Sequence, residues 1–137
     1  MSTTAKFLAP DDGRHLSVLG GAMTVKASAA ETDGAYEVVL VDSGPGGDIV
    51  PHRHPWQESY FVVAGTIEVQ VGRRVHRADA GSFVTIPPRA LHGFRVLGDS
   101  ARFLHISMGR GATDLFEEYA DRVPGEPTLD DLPPSSR

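Results

Sequence analysis

Short runs of alternating apolar and polar residues, each broken by glycine or proline, dominate the chain from Leu16 to Met108. Alternation with a period of two marks a strand, because successive side chains point to opposite faces. Residues 16–19, 23–27 and 36–41 are the first such runs, and Val38, Val39, Leu40 and Val41 form a continuous apolar stretch. Residues 58–63 and 82–86 are rich in β-branched and aromatic side chains, which suit a pleated surface. Residues 92–96 and 102–107 follow. The breaks fall at Asp33-Gly34, 42–47, Ala64-Gly65, Gly72-Arg73, Ala80-Gly81, Pro87-Pro88 and Gly98-Asp99. Many short strands at hairpin spacing indicate an all-β sandwich or barrel.

The ends read differently. Residues 1–13 are polar, with a turn at Pro10-Asp11-Asp12-Gly13, and are expected to be mobile. Residues 113–120 predict a short C-terminal helix. Thr113 or Asp114 caps it, acidic residues fill its first turn, and Leu115 and Tyr119 share a face. Pro124-Gly125 ends it, and it is expected to pack on the outer wall of the barrel. The Pro/Asp/Ser-rich stretch 124–137 is expected to be draped or disordered. The expectation is one domain over 1–137, with a barrel at about 15–108 and helix plus tail at about 113–137.

One strand bears on assembly. Its inward set is Glu58, Tyr60 and Val62, while its outward set, Ser59, Phe61 and Val63, is also largely apolar. A strand apolar on both faces is covered on both. The cover is either the N-terminal strands or a second copy, and a homodimer is expected.

Composition narrows the chemistry. The chain has 137 residues, 40% of them hydrophobic, a net charge of −5 and no cysteine. One core is affordable, disulfides and thiolate ligands are excluded, and any metal site must use nitrogen and oxygen. An acidic chain without a basic stripe is a poor partner for nucleic acid. Arg73, Arg74 and Arg77 cluster beside Gly72 and read as a solvated hairpin loop. No apolar run suits a signal peptide or a membrane span, so a cytoplasmic location is expected.

Four residues then stand out: His52, His54, Glu58 and His92. Imidazole and carboxylate are the side chains that hold divalent transition metals. His52 and His54 are two apart and Glu58 is four beyond, so strand parity aims all three at one face if it survives Pro55. His92 starts the strand after Pro87-Pro88 and falls near the same end. Nitrogen and oxygen donors suit Fe, Mn, Co, Ni, Cu or Zn alike. His15, His76 and His105 lack such company and read as packed or solvent-facing. His105, flanked by Leu104 and Ile106, is taken as hydrogen-bonded within the sheet.

These segments resemble the paired motifs of the cupin superfamily. The first runs from Gly46 through His52, His54 and Glu58 to Gly65, and the second from Gly81 through Pro87 to His92. The wider likeness covers 19–108 and includes Gly34, Gly65-Thr66-Ile67-Glu68 and Pro87-Pro88-Arg89. Arg89 stands where the family often has glycine and Val96 where it often has asparagine, which puts one turn and one polar contact in question. The resemblance implies a double-stranded β-helix, or jelly-roll barrel, with His52, His54, Glu58 and His92 on one metal.

Among cupins the chain is most similar to small proteins like bacterial quercetin dioxygenases. That implies an oxygenase for an enolic or phenolic substrate, such as a flavonol or diketone, with Glu58 as both ligand and base. Trp56 at the mouth, with Tyr60, Val62 and Phe94 inside, is expected to line the substrate pocket, with Phe83 and Phe103 of less certain parity. Two other readings stay open. One is a non-redox isomerase, cyclase or decarboxylase using the metal as Lewis acid, and the other is a small-molecule-binding barrel without turnover.

Overall fold

Eight antiparallel strands build the computed structural model, which describes residues 4–18, 21–45, 47–109 and 111. They are β1 (Arg14–Val18), β2 (Gly21–Ala27), β3 (Tyr36–Ser43), β4 (Ile49–His52), β5 (Glu58–Val71), β6 (Arg74–Asp79), β7 (Phe83–Ile86) and β8 (His92–Met108). No helix among the described residues is long and apolar enough to cross a membrane. The expected C-terminal helix lies outside the described residues.

β5 and β8 are longer than their sequence pattern suggests, and that difference organises the fold. Ala64-Gly65 and Gly98-Asp99 read as turns that end strands. Instead β5 and β8 stay paired throughout and bend together. Their ladder runs from Glu58↔Ser107 to Gly65↔Ala101, passes over 98–100, then resumes at Thr66↔Leu97 and continues to Val71↔His92. Gly65 sits at the bend with φ 75°, and a β-carbon there would strike the backbone of Ser100 and Ala101. Only glycine meets both demands without strain.

The bend divides the network into two layers. A wide sheet runs β1-β2-β3-β8-β5-β7, using the Glu58 half of β5 and the Ser107 half of β8. A narrow sheet runs β4-β8-β5-β6, using the other halves. The inward faces meet in one apolar core. It includes Val39, Val41, Tyr60, Val62 and Phe103 from the wide sheet and Ile67, Val69, Phe94 and Val96 from the narrow one. Burying such side chains contributes about 1.5–3 kcal/mol each. This is the all-β class that the strand pattern predicts, in the jelly-roll form that the resemblance implies.

Some local expectations resolve here. The turn near Pro10 is tied down, because the Lys26 ammonium donates to the Pro10 and Asp12 carbonyls. Phe83 faces outward at 60% exposed, directly opposite Phe61, so it cannot line an interior pocket. β1 and β2 extend the wide sheet sideways, so they do not cover the outer face of β5. Phe61 and Val63 remain exposed there.

Candidate metal centre

Doubling the β5–β8 ribbon brings its two ends together. Glu58 begins β5 on the wide sheet, while His92 begins β8 on the narrow sheet, opposite His52 at the end of β4. Gly93 lets β4 lie close, since a β-carbon there would come within 2.6 Å of the Ile49 carbonyl oxygen. His54 arrives by another route. Residues 53–57 leave the strand, so alternation does not aim His54. The loop does, and the Arg89 amide donates to the His54 carbonyl at 2.8 Å to fix it. Arg89 has φ 66°, the left-handed conformation that explains a glycine preference at this position. The other departure, Val96, is buried, and its amide donates to the Asp48 carboxylate at 3.0 Å.

His52, His54, Glu58 and His92 are all buried, and each offers one donor atom within 4.8 Å of the others. The imidazoles share a local device. Nδ1 of His52 lies 3.0 Å from the Val50 carbonyl oxygen, Nδ1 of His54 3.0 Å from that of Trp56, and Nδ1 of His92 2.8 Å from that of Ala90. A carbonyl only accepts, so each Nδ1 carries a proton and each Nε2 is left to face Glu58 or an ion. Tautomer and ring angle are thus set for ligation before any ion arrives. Three such nitrogens and a carboxylate fit a divalent transition ion. With an ion bound, three neutral rings and one carboxylate would carry −1, so a divalent ion would leave +1.

Glu58 is the electrostatic centre. His54 Nε2 lies 3.2 Å from Oε1, and His92 Nε2 contacts the same oxygen. Tyr60 donates its hydroxyl to Oε1 at 3.1 Å, and His105 Nε2 meets Oε2 at 2.5 Å. Burial alone raises the carboxyl pKa, but attraction from His105 and hydrogen bonds from His105, His54 and His92 carry it well below the usual range. The same surroundings act oppositely on their neighbours. Burial and the nearby carboxylate push the Tyr60 hydroxyl well above its ordinary value. Burial, with repulsion from His92, presses His52 down to about 4. His92 is raised, because bonding to Glu58 outweighs burial.

His105 is the residue that the sequence reading passes over. It faces inward, opposite Tyr60, and grips the carboxylate. Its alternation with Phe103 on one strand was the available signal. Beneath the donors, Phe94 packs edge to face on Tyr60 and Phe103, which tilt against each other, with ring centroids 5.0–6.1 Å apart. With Val62 they form a solid floor, each 5% exposed or less. Trp56 stacks on the His54 ring, with centroids 4.0 Å apart and planes 6° from parallel. Gly111 lies against the indole, where a β-carbon would collide with the ring.

Fold and site now have relatives. The family described as Cupin domain matches residues 39–107, half of the chain, and the chain belongs to it. Protein SchB of Streptomyces halstedii is 32% identical over 109 residues, which are 77% of this chain and 78% of that protein. A 5-nitrosalicylic acid 1,2-dioxygenase from a Bradyrhizobium species is 31% identical over 62 residues, 45% of this chain but only 30% of that enzyme. The solved structure of KdgF from Halomonas sp. shares the fold with a TM-score of 0.72 at 21% identity, over 82% of this chain and 100% of that one.

Proposed function

We propose that this cupin is a metal-dependent dioxygenase acting on a small enolic or phenolic compound. The observation that carries the reading is the convergence of three pre-set Nε2 atoms on a buried carboxylate that is itself gripped from both oxygens. The short segment shared with a dioxygenase for a phenolic acid supports the substrate class. A divalent ion held by His52, His54, Glu58 and His92 would polarise a substrate oxygen and, if redox-active, admit O₂ chemistry.

The chain's own residues do the rest. Glu58 stays ionised and accepts the proton from the substrate hydroxyl. Tyr60 stays neutral and steadies Oε1, while His105 steadies Oε2. The aromatic floor keeps water from beneath the donors, which strengthens each interaction there. Trp56 holds the His54 ring in its plane.

Elemental analysis of protein purified without added metal, beside His52→Ala, tests the site. Bound metal is expected in the parent and lost in the variant. Oxygen uptake with flavonols and diketones tests the reaction. Turnover that persists under strict anaerobiosis would move the assignment to the isomerase, cyclase or decarboxylase class. Binding with no turnover would make it a binding barrel.

A homodimer belongs to the same proposal. Phe61, Val63 and Phe83 form an exposed apolar strip outside the wide sheet, and such strips mark interfaces. Light scattering at micromolar concentration is expected to give twice the chain mass, and a monomer mass would remove this part.

A further inference from the structure

The inward positions of the wide sheet fall into rows across β3, β8 and β5. The deepest row is Val41, Phe103 and Val62, which is wholly apolar. The next is Val39, His105 and Tyr60. The row at the metal end is Glu37, Ser107 and Glu58. Polarity therefore rises toward the site and extends past it onto β3. Glu37 is 2% exposed and Ser107 1%, yet Oε1 of Glu37 and Oγ of Ser107 have no hydrogen-bond partner among the described residues. Buried polar groups are nearly always paired, because leaving them dry and unpaired is costly. Glu37 is not a fifth ligand, since it falls outside the cluster of mutually close donors.

We propose that Glu37 and Ser107 form a second subsite beside the metal end, which selects substrates carrying a further hydroxyl group. The proposal rests on the enolic or phenolic reading above and deepens it. Adjacent strands lie about 4.8 Å apart, so Ser107 is one spacing from Glu58 and Glu37 about 10 Å away. A ring whose first hydroxyl meets Glu58 directs a second toward Ser107 and Glu37. The open Oε1 of Glu37 can accept a hydrogen bond, so the pair suits a ligand that donates one. On the phenolic reading that donor is a second ring hydroxyl. Sites built to bond a hydroxyl reject analogues lacking it, because their own groups then stay unpaired.

Calorimetry on the zinc-loaded full chain tests this with phenol and resorcinol, which differ by one meta hydroxyl. Resorcinol is expected to bind about tenfold more tightly. Glu37→Met and Ser107→Ala should erase that preference while leaving phenol affinity and zinc content unchanged, and Glu37→Gln should restore part of it. Equal binding of both compounds by the parent, or a preference that survives both variants, overturns the subsite. Failure of phenol itself to bind strikes the phenolic reading instead, and thermal stability then decides the role of Glu37. If Glu37 is held unpaired for a ligand, Glu37→Met melts higher than the parent, since removing a stranded polar group is stabilising. A lower melting point means that Glu37 supports the fold, and the proposal falls.

Discussion

The two sheets contribute unlike things to one site. The narrow sheet and the loop that follows β4 supply His52, His54 and His92, rings each oriented by a backbone carbonyl. The wide sheet supplies Glu58 with Tyr60 and His105, an ionised carboxylate embraced by side chains. Backbone carbonyls fix a direction without adding a titrating group. Side-chain partners do the reverse and tune proton affinity. On the proposed reading, holding an ion falls mainly to the narrow sheet and handling a proton to the wide one, and variants in each should fail differently.

The largest effect is expected from Glu58→Gln, which keeps the shape but loses the base. On the proposed reaction it should cut kcat by about 10²–10⁴-fold while retaining more metal than any histidine variant. Equal metal loss in Glu58→Gln and His92→Ala would erase the division between sheets. Next come the rings. His52→Ala and His92→Ala should weaken metal affinity by roughly 100-fold or more, read by competition with a chromophoric chelator.

Acid reaches the narrow sheet first, because the Glu58 carboxyl is held well below the usual carboxylate range. His52 titrates at about 4 in the folded protein against 6.5 for the free side chain. The unfolded chain takes up this proton first, so the stabilising contribution is complete above pH 6.5 and is lost as pH falls toward 4. A gap of this size corresponds to roughly 3 kcal/mol. His92, whose folded value is raised, has the opposite sign. It stabilises below its unfolded pKa, and that contribution fades as pH rises through its folded value. Melting curves of metal-free protein from pH 4 to 7 should show the acid loss, and His52→Gln should flatten it. The smallest effect concerns the turn behind His54. Arg89→Gly relieves a left-handed residue and should stabilise by about 1 kcal/mol in chemical denaturation, with metal affinity unchanged.

Much of this was legible before any coordinates. The all-β class, the apolar run of β3 and the four donors follow from period-two patterning and ligand spacing. What escaped was three-dimensional in origin. Gly65 and Gly98 look like hairpin turns because glycine at positive φ is what a turn requires, yet here it serves a bend shared by two paired strands. His54 is aimed by a loop that parity cannot describe. Phe83 looked like a pocket residue because an aromatic on a strand has no label for its face, and only its register with Phe61 assigns one. His105 looked ordinary because its importance lies in Glu58, forty-seven positions earlier.

The shared bend at Gly65 has a thermodynamic consequence. In a flat β5–β8 ribbon Glu58 and His92 would stand thirteen residues apart along the ladder, about 44 Å. Only the creased ribbon buckles them around one cation, so binding free energy flows into closing the crease. The ion would act as a fastener, and lesions at Gly65, remote from every donor, should register as lost metal affinity.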